Sequence, residues 1–131
     1  MKKVILILSL ILTLSLFSCS VEIYPPEITS VLVVDEYGYT IDTASIGDTI
    51  YALITVTDAD KDMEILNVKQ YLNNVLIYNI DLELTKPLSE TVTYIAYLYI
   101  LGPAGYWRND LMIIDAQDNE SNVYTVYFTV I

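Results

Sequence analysis

From Ile28 onward, apolar and polar side chains change places nearly every residue, and short clusters of Asp, Asn, Gly and Pro interrupt them at roughly even spacing. Alternation of this kind marks half-buried β-strands, and the clusters mark the turns between them. The clearest run is Thr49–Thr57, with Ile50, Ala52, Ile54 and Val56 on one face and Thr49, Tyr51, Leu53 and Thr55 on the other. Further strands are expected at Ile28–Asp35, at Met63–Leu72 with Ile65 inward, and at Val75–Leu84, where Leu76, Tyr78, Ile80 and Leu82 share a face. Val92–Ile100, Leu111–Asp115 and Val123–Ile131 complete the set, and Tyr39–Ile41 reads as a short edge strand. Gly47-Asp48, Asn73-Asn74 and Gly102-Pro103-Ala104-Gly105 read as turns, because glycine and asparagine tolerate left-handed backbone.

No stretch sustains an apolar stripe of helical period for three turns. Tyrosine occurs 12 times, and with Val, Ile and Thr it favours strands. One sheet cannot bury this much apolar surface, so two packed sheets are expected. The prediction is an all-β fold, an immunoglobulin-like or fibronectin-III-like β-sandwich of about seven antiparallel strands, with a small closed barrel as the alternative.

The first 26 residues break the alternation. Lys2 and Lys3 precede an apolar run, Val4–Phe17, interrupted only by Ser9, Thr13 and Ser15, which ends in Leu16-Phe17-Ser18-Cys19. A charged start and a short apolar core mark an export signal rather than a folded element. The run is also short of the roughly 20 residues that a membrane helix needs. The Leu-Phe-Ser-Cys stretch resembles the lipobox of bacterial lipoprotein signal peptides, and an ordinary secretory signal is the alternative. That resemblance implies cleavage before Cys19, a diacylglycerol on its thiol, and a membrane-anchored protein of the cell envelope. It points to the outer membrane or cell surface, since Ser20 rather than aspartate follows the cysteine. Stable anchoring takes more than one acyl chain. The expected organisation is a lipoprotein signal peptide at 1–18, a lipidated cysteine and short tether at 19–26, and a single domain at 27–131.

Without the signal lysines, four basic residues face 17 acidic ones, a net charge of −13. Such a domain is unsuited to nucleic acid, whose phosphates need a basic face. Histidine is absent and Cys19 is the single cysteine. That leaves neither His-based acid–base chemistry nor a usual zinc site, and no disulfide. No nucleophile stands beside a base in the sequence, and we expect no enzyme.

Two segments carry a second resemblance. Gly47-Asp48-Thr49 opens a strand that leaves through Thr57-Asp58-Ala59-Asp60, and Asp115-Ala116-Gln117-Asp118-Asn119-Glu120-Ser121 separates the last two strands. Both resemble turns of the Ig-like repeats of bacterial surface proteins, with Asp118 standing where glycine is common. The family implies adhesion, spacing or ligand presentation, toward an envelope protein or a glycan, rather than catalysis.

Two candidate sites follow. Asp58, Asp60, Asp62 and Glu64 place four carboxylates at alternate positions, which in a strand would point one way and repel. A calcium ion would relieve that repulsion through oxygen ligands, and Asp115 and Asp118 would join from the neighbouring loop of an Ig-like sandwich. The calcium-stabilised structural domain is thus the alternative to the binding module, with exposed Asx turns as the plainer account of the loops. The second candidate is Tyr106-Trp107-Arg108. The trio reads as an exposed aromatic anchor with a cation, or as a core tryptophan flanked by outward neighbours, and the second account is preferred for a small β domain.

Overall fold

The computed structural model describes residues 24–131, so the signal segment and Cys19 lie outside the described residues. Eight strands form: β1 (Glu27–Val34), β2 (Thr43–Ala44), β3 (Thr49–Thr57), β4 (Met63–Leu72), β5 (Val75–Glu83), β6 (Thr91–Tyr99), β7 (Gly105–Asp115) and β8 (Tyr124–Val130). They make two sheets, β1-β3-β6 and β2-β8-β7-β4-β5. Every pairing is antiparallel except the two-residue β2, which runs parallel to β8. The two sheets pack face to face as a sandwich, as the alternation requires.

β3 follows its sequence pattern without a break. Ile50, Ala52, Ile54 and Val56 are buried, and the residues between them are half-buried. Asn73 and Asn74 both adopt positive φ, 48° and 68°, and join β4 to β5 in two residues. The mirror-image turn that fits strand twist needs this conformation at both positions.

Three expectations are corrected. The short edge strand lies at Thr43–Ala44, and Tyr39–Ile41 contributes only an isolated bridge between Val34 and Thr40. β7 starts at Gly105 rather than Leu111, directly after the glycine-proline turn, so Tyr106-Trp107-Arg108 is inside a strand. A register shift between Met63 and Ile65 changes the phase of β4, so Met63 and Leu66 are buried while Ile65 is only half-buried. Bulges of this kind insert a residue and turn side chains to the other face.

The core falls into two clusters along the strand axis. One joins Ile28, Ile54, Val56, Met63, Leu66 and Ile113 near the end where β1 begins. The other joins Ala44, Ile50, Trp107, Phe128 and Val130 near the end where β8 finishes. Among the described residues fourteen apolar side chains are buried, all but Val34 in these two clusters, and none of them comes from β5, all nine of whose residues are exposed.

Candidate functional site

At the end of the sandwich where β1 begins, two loops meet. Asp58 ends β3 and is only 2% exposed, and Asp115 ends β7 at 1%. Carboxylates this deep need hydrogen-bond partners, and both obtain them from the backbone just downstream. Asp58 Oδ1 accepts the Asp60 N–H at 3.1 Å and Oδ2 accepts the Asp62 N–H at 3.1 Å. Asp115 Oδ1 accepts from the N–H groups of Gln117 at 2.9 Å and Asn119 at 2.7 Å, and Oδ2 accepts from Asn119 Nδ2 at 3.0 Å. In each loop the fourth residue is left-handed, Lys61 at φ 53° and Asp118 at φ 63°. Its N–H bonds back to the carbonyl of the capping aspartate.

Asp35 repeats the device. Its Oδ1 accepts from Tyr37 and Tyr39, both at 2.9 Å, and Gly38 is left-handed at φ 85°. Three turns of one chemistry therefore end β1, β3 and β7. The shared pattern is an aspartate at a strand's end with a left-handed residue three places on, for which Gly38 and Asp118 are suited residue types and Lys61 is not. It reads Asp35-Glu36-Tyr37-Gly38, Asp58-Ala59-Asp60-Lys61 and Asp115-Ala116-Gln117-Asp118. Asx turns, the plainer account of the two acidic loops, describe their hydrogen bonds, but the capping Asp58 and Asp115 are buried rather than exposed.

The two loops at this end are joined. The Ala116 N–H donates to the Asp62 carbonyl at 2.9 Å. Asp58, Asp60 and Asp62 each bring one carboxylate oxygen within 4.8 Å of the others. Asp62 carries the strain of this crowding. Its carboxyl is pushed up to about 6, first by burial, then by its hydrogen bond with Asp58 and by the charges of Asp115, Asp58 and Asp60. Its Oδ1 is buried and accepts no hydrogen bond. Burial and then the Asp58 charge also push the Tyr94 phenol up.

The expected alternation of four carboxylates along a strand is not what forms. The backbone turns at Asp58, and Glu64 is an exposed residue of β4 outside the three-carboxylate group. Asp118 is exposed, while Asp115 turns inward as a cap. As cation ligands the residues fit in part. Three carboxylates come together, calcium takes six to eight oxygens, and both Asp58 oxygens already serve backbone N–H groups.

Tyr106-Trp107-Arg108 is divided between two faces of β7. Trp107 is buried at 7% in the second core cluster, and its Nε1 donates to the Pro103 carbonyl at 3.1 Å. Tyr106 is exposed and stacks on Tyr127 at 5.5 Å between centroids. The Arg108 guanidinium lies 3.9 Å over the Tyr71 ring, with its Nε 3.4 Å from Asp110 Oδ1. The other tyrosines divide likewise. Tyr94 and Tyr124 pack against the first cluster, whereas Tyr97 and Tyr99 are exposed.

The outer face of the three-stranded sheet carries apolar and aromatic side chains at its centre. Leu32, Leu53 and Ile95 lie in one cross-strand row, with Tyr51 and Tyr97 in a neighbouring one. The tyrosine rings meet edge to face at 5.8 Å. Ile95 and Tyr97 are each 68% exposed.

No family model and no curated protein matches the chain. Solved structures do. The PKD domain of an M14-like peptidase from Thermoplasmatales archaeon SCGC AB-540-F20 is 18% identical with a TM-score of 0.53, over 81% of this chain and 95% of that one. A Niemann-Pick type C2 protein from Japanese carpenter ant is 8% identical with a TM-score of 0.52, over 86% and 96%. A more distant likeness is the CARDB domain of a Pyrococcus furiosus protein solved with two metal ions, 14% identical with a TM-score of 0.43, over 82% and 90%. At these identities the likeness is one of fold, and it defines the class: an all-β, Ig-like sandwich.

Proposed function

We propose that this chain is a non-catalytic binding module, held at the bacterial cell envelope by lipid on Cys19, that docks an envelope protein or glycan. The observation that carries the reading is the outer face formed by Leu32, Leu53, Ile95, Tyr51 and Tyr97. Contiguous exposed apolar surface marks interaction sites, and rigid aromatics are favoured anchors within them. The Ig-like fold fits such a role. Two experiments test it. An alkyne-tagged palmitate fed to cells should label the full chain and fail to label Cys19→Ser, and equal labelling would contradict the anchor. Saturable binding of the full chain to isolated envelopes should weaken at least ten-fold in Ile95→Asp, and undiminished binding would remove this face from the reading.

A second reading rests on Asp62. Its buried Oδ1 without a hydrogen bond, beside Asp58 and Asp60, favours a calcium-stabilised loop. The melting temperature of the full chain in calcium against chelator decides it, and an unchanged value excludes the ion.

A further inference from the structure

Between the two core clusters the sandwich does not close. A cavity of about 340 Å³ lies there, lined from the first cluster by Ala52, Ile54 and Leu111 and from the second by Ile50, Trp107 and Phe128. Its origin is legible in the register. Ala52 and Ala96 pair directly across β3 and β6, so the wall of the three-stranded sheet is only methyl groups there, whereas the rows on either side pair Ile50 with Leu98 and Ile54 with Tyr94. Opposite, β5 is an edge strand that pairs only with β4. Its side chains Tyr78, Ile80 and Leu82 line the cavity and yet remain 51%, 40% and 45% exposed. Leu98 on β6 is 39% exposed as well, so the cavity opens between the β5 and β6 edges.

We propose that this cavity binds the hydrocarbon chain of an uncharged single-chain lipid of the monoacylglycerol type, a site separate from the outer face described above. Size sets the first limit. A water-sized group occupies about 30 Å³ in the liquid, so the space holds roughly ten methylene-sized groups, which suits one acyl chain rather than two. Charge sets the second. No Lys, Arg, Asp or Glu lines the cavity. A carboxylate or phosphate headgroup would find no cation there and would be repelled by a chain of net charge −11.

The polar groups set the third limit. Asn109, Gln70 and Tyr78 stand in one row across β7, β4 and β5, from the interior to the mouth. Gln70 Nε2 donates to Asn109 Oδ1 at 2.9 Å. That bond uses one donor and one acceptor, and the amides together carry further sites of both kinds. A hydroxyl or ester, which needs a donor, an acceptor or both, matches this row. A pocket of this size, largely apolar with a few placed polar groups, has the usual composition of a small-molecule site.

Trp107 is the only tryptophan and lines the cavity, so it reports occupancy directly. The full chain in phosphatidylcholine nanodiscs is titrated with a monoacylglycerol brominated at mid-chain. Saturable quenching of Trp107 is expected, at one lipid per chain. The brominated fatty acid at pH 8 and a brominated phosphatidylcholine are expected to quench at least ten-fold more weakly. Ala96→Phe, which fills the hollow, should abolish quenching while the far-ultraviolet circular dichroism is kept. Unsaturable quenching, or equal quenching by all three lipids, overturns the proposal in the wild-type chain alone, whether or not Ala96→Phe folds. As a second variant, Gln70→Leu should weaken the monoacylglycerol at least five-fold and leave a brominated alkane unchanged, and parallel loss of both would overturn the assignment of the polar row.

Discussion

Where β3 ends at Asp58, a buried carboxylate folds the chain back on itself and each of its oxygens is used. Toward the other end of the same strand, Ala52 faces a hollow bounded by side chains from both sheets. The two regions share a strand and a fold but answer different demands. At the acidic end the sheets must be finished against water, and backbone N–H groups gathered around Asp58 and Asp115 do so. In the middle, small residues and an overhanging β5 leave apolar surface half open. A side chain packed on every side resists truncation, and one beside existing space absorbs it.

Substitutions across the boundary measure that contrast. The largest effect is expected for Ile113→Ala. Ile113 is 0% exposed in the first cluster and lines no part of the hollow, and its truncation should cost about 4 kcal/mol in urea unfolding, near the upper part of the range for such changes. Asp115→Ala should cost about 3 kcal/mol, because two backbone N–H groups lose a charged acceptor inside the protein. Ile50→Ala should cost only about 2 kcal/mol, since the residue lines existing space and its neighbours can relax into it. Equal costs at Ile50 and Ile113 would mean that the hollow gives no relief to the side chains that line it.

Asp62→Asn should act in the opposite direction. The Asp62 carboxyl is raised from 3.8 to about 6 in the folded chain, so the folded state holds its proton more tightly than the unfolded state. Its contribution to stability is fully present below about 3.8 and is lost as pH rises through about 6. Removing the charge should therefore stabilise the protein at pH 7 by about 1 kcal/mol, a figure discounted for solvent screening. The slope of stability against pH between 4 and 6 should flatten as well. The smallest effect belongs to Arg108→Leu, whose partly exposed contacts with Tyr71 and Asp110 should contribute less than about 1 kcal/mol.

Some of this was legible in the residues alone. The β3 alternation predicts its burial position by position, and Asn73-Asn74 predicts its turn, because both depend on neighbours in the chain. Other parts depend on what lies across the fold. Leu76, Tyr78, Ile80 and Leu82 alternate as a half-buried strand should, yet β5 is exposed throughout because it has one neighbouring strand and overhangs the smaller sheet. The two residues of β2 pair through Thr129 and Val130, far along the sequence, and carry no local signal. Asp58 to Glu64 looked like a run of carboxylates on one strand face. Side-chain capping by Asp58 turns the backbone there, and the alternation ends with it. The placement of Trp107 agrees with the core reading preferred on sequence grounds.

Asn122 clamps the start of β1 by both ends of its amide. The Ile28 N–H donates to Asn122 Oδ1 at 2.8 Å, and Asn122 Nδ2 donates to the Ile28 carbonyl at 3.1 Å, as a neighbouring strand would. The chain enters the sandwich here, beside Tyr124, and β8 carries it out at the far end, where Val130 pairs with Gly105. A pull applied between the start of β1 and the end of β8 therefore runs along the strands. Under such a pull the ladder between β1 and β3, together with the Asn122 clamp, is sheared rather than peeled. Its hydrogen bonds must then yield together rather than one at a time.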